Sequence, residues 1–134
     1  MRRYLPVLAG AVLTLAAPFI GASPASAFGG ETLGCTGRPG YSGTSQCGTA
    51  VPAGYYGVGY FVQGGSGTYT YSWTVPGGMI TGGCTSTTSY CSIRVAAGAG
   101  DRELTASVVI TQGSSQATLS ATAYLPAVCG NYLC

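Results

Sequence analysis

The chain has 134 residues, of which 6% are charged: five arginines and no lysine against three Asp or Glu, with no histidine. So sparse a charge leaves no basic field for a phosphate backbone, so nucleic acid is not an expected partner. Without imidazole or amine side chains, Ser-His-Asp, Cys-His and Ser-Lys nucleophiles are excluded.

The N-terminus runs Met1-Arg2-Arg3, then is apolar from Leu5 to about Ile20, then small from Ala22 to Ala27. A positive start, an apolar stretch and an A-x-A end read as a secretory signal peptide over 1–27. Pro18 interrupts the apolar run, which argues against a membrane anchor. General secretion suits Arg2-Arg3-Tyr4-Leu5-Pro6 better than twin-arginine export, and the choice stays open. No cysteine follows Ala27 directly, against a lipid anchor. No second apolar run of membrane length exists, so no membrane span is expected after cleavage. Arg2 and Arg3 would leave with the signal. The remainder then holds Arg38, Arg94 and Arg102 against Glu31, Asp101 and Glu103, formally neutral.

Six cysteines remain in that single domain: Cys35, Cys47, Cys84, Cys91, Cys129 and Cys134. An even number in a short exported chain reads as three disulfides. Metal binding would need C-x-x-C or histidine spacing, which is absent. Cys84–Cys91 is the bond the spacing favours most, worth roughly 2–3 kcal/mol in the chain-entropy account. Cys35–Cys47 and Cys129–Cys134 complete a local set. A bond from the first pair to the last, tying the domain ends together, is the alternative.

Residues 28–50 are Gly-rich and show no periodicity. They are expected to form an irregular arm, pinned by Cys35 and Cys47 and presenting Arg38-Pro39-Gly40-Tyr41. Residues 51–126 are strand-like. Tyr56, Val58, Tyr60 and Val62 share one face, with Gly57 and Gly59 opposite, as for a close backbone approach or a bulge. Gly64–Gly67 turns into Thr68–Val75, where Tyr69, Tyr71, Trp73 and Val75 alternate with hydroxyl residues. A period of two is a strand period, and this aromatic row is expected at the centre of the core. Pro76-Gly77-Gly78 ends that strand. Met79-Ile80 starts a short one, and Thr85–Tyr90 is a polar loop. Cys91, Ile93 and Val95 then point inward with Arg94 outward. Leu104, Ala106, Val108 and Ile110 form an inward row, and Gln112–Ser115 makes a hairpin turn. Ala117, Leu119, Ala121, Ala123 and Leu125 form the last inward row. Pro126 stops it, and 127–134 is a Cys-containing tail.

Six to seven short strands separated by turn signals predict an all-β, antiparallel sandwich. With Tyr69-x-Tyr71-Ser72-Trp73 and the final hairpin Leu104–Leu125, the chain resembles the immunoglobulin-like superfamily, and more loosely its PKD branch. The resemblance covers about the last two-thirds of the exported chain. It implies an architecture with the tryptophan packed between sheets. It implies no activity, because that fold hosts many functions.

Chemistry is limited by what is missing. Asp101 and Glu103 could in principle form an acid/base pair, but read as a solvated strand end beside Arg102. Calcium needs more carboxylates than the chain has, and no phosphate loop is present. No enzyme, metal or cofactor is expected. Tyr56, Tyr60, Tyr69, Tyr71 and Trp73 fall on inward rows. Tyr41, Tyr55, Tyr90, Tyr124 and Tyr132 fall on loops or outward rows. Arg38, Tyr41, Tyr55, Tyr90 and Tyr124 are the candidate contact residues. The expected function is a secreted binding or assembly module touching another secreted protein, as in a multi-subunit, toxin-type particle, with the Gly-rich arm adding a strand to its partner. A carbohydrate or cell-wall module, meeting extracellular polysaccharide through Tyr55 or Tyr124, is a second reading. A secreted protease inhibitor, using Thr85–Tyr90 or the Arg38 loop, is a third.

Overall fold

The computed structural model describes residues 28–134. The signal peptide read over 1–27 lies outside the described residues. The order of elements is β1 (Thr32–Arg38), β2 (Ser42–Thr44), β3 (Gln46–Gly48), β4 (Tyr55–Gln63), β5 (Thr70–Thr74), β6 (Met79–Gly83), β7 (Tyr90–Ala96), β8 (Arg102–Gln112), β9 (Ser115–Leu125), β10 (Val128–Cys129) and β11 (Tyr132–Leu133). Two sheets face each other, one ordered β2-β1-β4-β7-β6 and one ordered β3-β9-β8-β5; β10 and β11 form a separate hairpin. The all-β sandwich is as the alternation predicts. Among the described residues it has eleven strands rather than six or seven, because the short β2, β3, β10 and β11 are too brief to show a period. It is also not wholly antiparallel, since β3 runs parallel to β9.

The core sits between the inward rows. Tyr56, Val58 and Tyr60 of β4, Ile93 and Val95 of β7, Ala106, Val108 and Ile110 of β8, and Ala121, Ala123 and Leu125 of β9 are all buried. Each fully buried Ile, Leu or Val contributes about 1.5–3 kcal/mol. The period-two patterns on these four strands place their side chains as expected.

Two expectations are corrected. The arm over 28–50 is not irregular. Strand β1 pairs with both β2 and β4, and buries Leu33 and Cys35. The arm's glycines resemble turn signals but serve close packing: a Cβ on Gly37 would lie 2.5 Å from the Gly48 carbonyl oxygen. The segment therefore belongs to its own sandwich, with β2 and β3 as edge strands of the two sheets. The aromatic strand, second, is β5, an edge of its sheet rather than the centre. Tyr69, Tyr71 and Trp73 are only half-buried, packed against the core from the rim. The centre belongs to Tyr56 and Tyr60, both wholly inaccessible to solvent.

The three disulfides are the local set: Cys35–Cys47, Cys84–Cys91 and Cys129–Cys134. The first joins β1 of one sheet to β3 of the other, so it staples the sandwich shut. No cysteine is free. Such bonds suit an oxidising environment. Among the described residues, no helix is long and apolar enough to cross a membrane.

Candidate binding surfaces

On strand β4 the inward residues are large and two of the outward ones are glycine. Gly57 and Gly59 thus lay a strip without side chains down the outer face of the five-stranded sheet. It is open at Gly57 and overhung at Gly59 by Thr36 and Ser92, 3.1 and 3.6 Å from where a Cβ would stand. The strand is regular here: it pairs with β1 and β7 in unbroken register, so these glycines mark neither a bulge nor a crossing backbone. The register sets what stands beside the strip. Arg38 on β1 and Arg94 on β7 both pair with Gly57; Thr36 and Ser92 both pair with Gly59. With neighbouring strands spaced about 4.8 Å, the two arginine Cα atoms flank the strip roughly 10 Å apart. The result is a groove of about 340 Å³ lined by Thr36, Arg38, Gly57, Gly59, Thr81 and Ser92. The Ser42 hydroxyl donates to the Thr36 hydroxyl at 2.8 Å, which leaves Thr36 free to donate into the groove.

Beside it, the Arg94 guanidinium lies 4.1 Å above the centroid of the Tyr55 ring. Its cation is held by the ring face while its N–H edges stay available. Tyr55, Arg94 and Met79 line an adjoining hollow of about 280 Å³. Along the same sheet, among the described residues, β6 has β7 as its one partner and no strand pairs with its outer edge. There Met79 is 60% exposed and Ile80 57% exposed.

No known protein family, curated protein or solved structure matches this chain. The surfaces must be read from their own chemistry.

The five candidate contact residues are all placed at the surface, but not together. Arg38, Tyr55 and Tyr90 share the outer face of the five-stranded sheet. Tyr41 and Tyr124 lie elsewhere, lining a separate groove of about 200 Å³ with Gln46, Glu103 and Thr122. A hydrogen bond with the Asp101 carboxylate, the largest influence there, raises the Tyr124 phenol above its usual range. Asp101 also accepts the Ala127 amide at 2.7 Å. That carboxylate thereby holds the start of the tail in place.

The residues sequence reasoning missed are Arg94 and the Met79-Ile80 pair. The signal for Arg94 was present, since it stands outward on a strand with buried neighbours. What the sequence could not supply was the register that sets it across Gly57 from Arg38. Thr85–Tyr90, weighed as an inhibitor loop, is drawn down onto β5 and β4. The Ser86 carbonyl accepts the Tyr71 amide at 3.0 Å, and the Ser89 carbonyl accepts the Val62 amide at 2.8 Å. The Thr88 carbonyl accepts the Trp73 indole N–H at 3.0 Å.

Proposed function

We propose that this chain is a non-catalytic, secreted binding module that contacts another secreted protein along the free edge of β6. The observation that carries the reading is the exposure of Met79 and Ile80 on an uncovered edge strand. An open edge presents unpaired backbone N–H and C=O groups, and natural sheets guard such edges with lysine or proline. Strand β6, MITGG, has neither. Its one guard is a register shift between Ile80 and Gly82. An extended partner segment would pair with the backbone of Met79–Thr81 and cover the two apolar side chains, in the manner of strand addition. The absence of histidine and lysine, with every cysteine in a disulfide, supports a role by contact rather than catalysis.

An immunoglobulin-like assignment of the sandwich belongs to the same proposal. Leaving aside the short β2 and β3, the order β1-β4-β7-β6 facing β5-β8-β9 is the ABED and CFG order of that fold. Trp73 then falls on strand C, the strand that carries that fold's tryptophan, although its ring here is half-buried at the rim rather than enclosed between the sheets. The inhibitor reading finds less support, because the Thr85–Tyr90 carbonyls are engaged by the protein's own amides rather than offered to a protease.

The test is photochemical cross-linking through tyrosine, which needs no amine, and co-purification from spent medium, comparing the natural chain with Ile80→Lys. Stability should change by no more than about 0.5 kcal/mol at so exposed a site. The cross-linked complex should disappear. A complex recovered equally with Ile80→Lys would overturn the assignment of this edge.

A further inference from the structure

We propose that the glycine-floored groove on the outer face of the five-stranded sheet binds an acidic polysaccharide, a chain of sugars carrying carboxylates. The proposal does not rest on the β6 edge contact, although Met79 borders both surfaces.

The residues lining the groove and its adjoining hollow include Arg38 and Arg94 and no carboxylate. The described chain's three acids are spent elsewhere. Glu31 accepts hydrogen bonds from the Gly29 amide and the Tyr69 hydroxyl. Asp101 holds the Ala127 amide. Glu103 stands opposite Tyr124 on the other sheet. A chain that is formally neutral without Arg2 and Arg3 thus gathers two of its three remaining cations on one face, with nothing there to balance them. The complement is an anion, and guanidinium groups hold carboxylates with two parallel N–H bonds.

The backbone then separates a sugar from a peptide. A peptide docked in mid-sheet would need main-chain partners, and β4 has none to give. Its groups are consumed by β1 on one side and β7 on the other. Recognition must come from side chains alone. Those available are the hydroxyls of Thr36, Thr81 and Ser92 and the two guanidinium groups. Hydroxyls that donate and accept at short reach suit sugar hydroxyls. The open floor at Gly57, where an added Cβ would meet nothing nearer than the Arg38 Cβ at 3.9 Å, admits a ring close to the backbone, and the Thr36 and Ser92 side chains bound it at Gly59.

The test uses affinity electrophoresis at low salt with polygalacturonate, against neutral dextran, poly-L-glutamate and polyphosphate. Selective retardation by polygalacturonate is expected, fading as salt rises. Arg38→Ala and Arg94→Ala should each weaken it roughly tenfold, the loss of one charge-assisted contact. Gly57→Val fills the floor. A Cβ there meets nothing closer than the Arg38 Cβ at 3.9 Å, so the fold should tolerate it. Binding should be lost while the melting temperature holds. Equal retardation by poly-L-glutamate or polyphosphate would show attraction by charge alone and overturn the proposal. So would retained binding in Gly57→Val, or no retardation by polygalacturonate at low salt.

Discussion

The Tyr60 hydroxyl donates a 2.7 Å hydrogen bond to the Leu104 carbonyl oxygen, deep in the interior. It crosses from β4 in one sheet to β8 in the other. The sandwich is therefore tied through its middle by a polar bond within an apolar core. Tyr60 is among the largest fully buried side chains, and that burial pushes its phenol up to about 12.

A folded-state value above the usual 10 has a definite consequence. The neutral phenol is compatible with the fold, so its contribution is complete below about pH 10. It is lost as pH rises towards the folded value of about 12. Tyr60→Phe keeps the ring and removes the bond, and should cost about 1 kcal/mol at neutral pH. It should also remove part of the alkaline loss of stability. Urea unfolding between pH 9 and 12 checks this. Parallel loss in both proteins over that window would show that another group is responsible.

At the opposite end of the pH scale the sensitive group is Glu31. Its carboxylate accepts the Tyr69 hydroxyl at 2.7 Å and the Gly29 amide at 2.8 Å. These bonds, Tyr69 first, hold its pKa below the usual 4.5. A depressed value stabilises the fold above the unfolded pKa, and the effect fades as pH falls through the folded one. Wild type should therefore exceed Glu31→Gln in melting temperature at pH 6, and the gap should narrow as pH falls below the usual 4.5. Thermal melts across that range decide it; a gap independent of pH would mean that packing, not charge, is what the variant disturbs. Gly65 packs against this pair at a φ of +74°, and an added Cβ would collide with the Tyr69 hydroxyl. Gly65→Ala should cost more than about 1 kcal/mol at every pH.

What the sequence made legible follows the strength of its alternation. Strands β7, β8 and β9 carry uninterrupted rows such as Leu104, Ala106, Val108 and Ile110, and their inward faces are as read. Spacing singles out Cys84–Cys91, but leaves Cys35–Cys47 and Cys129–Cys134 open against a tie between the domain ends; the structure has the local set. Strand β1 was not, because Gly34 and Gly37 hide the alternation of Leu33 and Cys35. Those glycines make room for Phe61 and Gly48, contacts from distant parts of the chain. The aromatic row of β5 misled for a different reason. Period-two alternation says which face a side chain takes, but not whether its strand is central or at an edge. Likewise, Arg38 was identified from its loop-like context, yet its place opposite Arg94 depends on the pairing of β1, β4 and β7. No local pattern encodes that register.

Trp73 shows what an edge aromatic does. Its ring stacks on Tyr71, with centroids 6.4 Å apart, and its indole N–H holds the Thr88 carbonyl. The disulfide-closed loop is thereby folded over the edge of β5, where Ser86 also accepts the Tyr71 amide. Trp73→Phe keeps an aromatic ring but drops the donor. It should cost about 1 kcal/mol and speed hydrogen exchange at the Tyr71 amide. Unchanged exchange there would mean the loop is held without the indole.

The disulfides should differ in worth according to what they join. In the chain-entropy account, the twelve-residue separation of Cys35–Cys47 is worth about 3 kcal/mol and the five-residue separation of Cys129–Cys134 about 2 kcal/mol. Burial widens the difference. Cys35 and Cys47 lie in the core and link the two sheets, whereas Cys129 and Cys134 are exposed on the terminal hairpin. Replacing the first pair by alanine also leaves space in a packed interior, an added cost. Urea unfolding of Cys35→Ala/Cys47→Ala should therefore show a loss greater than about 3 kcal/mol, with Cys129→Ser/Cys134→Ser losing less. Equal losses would mean that the first bond does not act as the tie between sheets, and that Leu33 and its neighbours hold β1 in place without it.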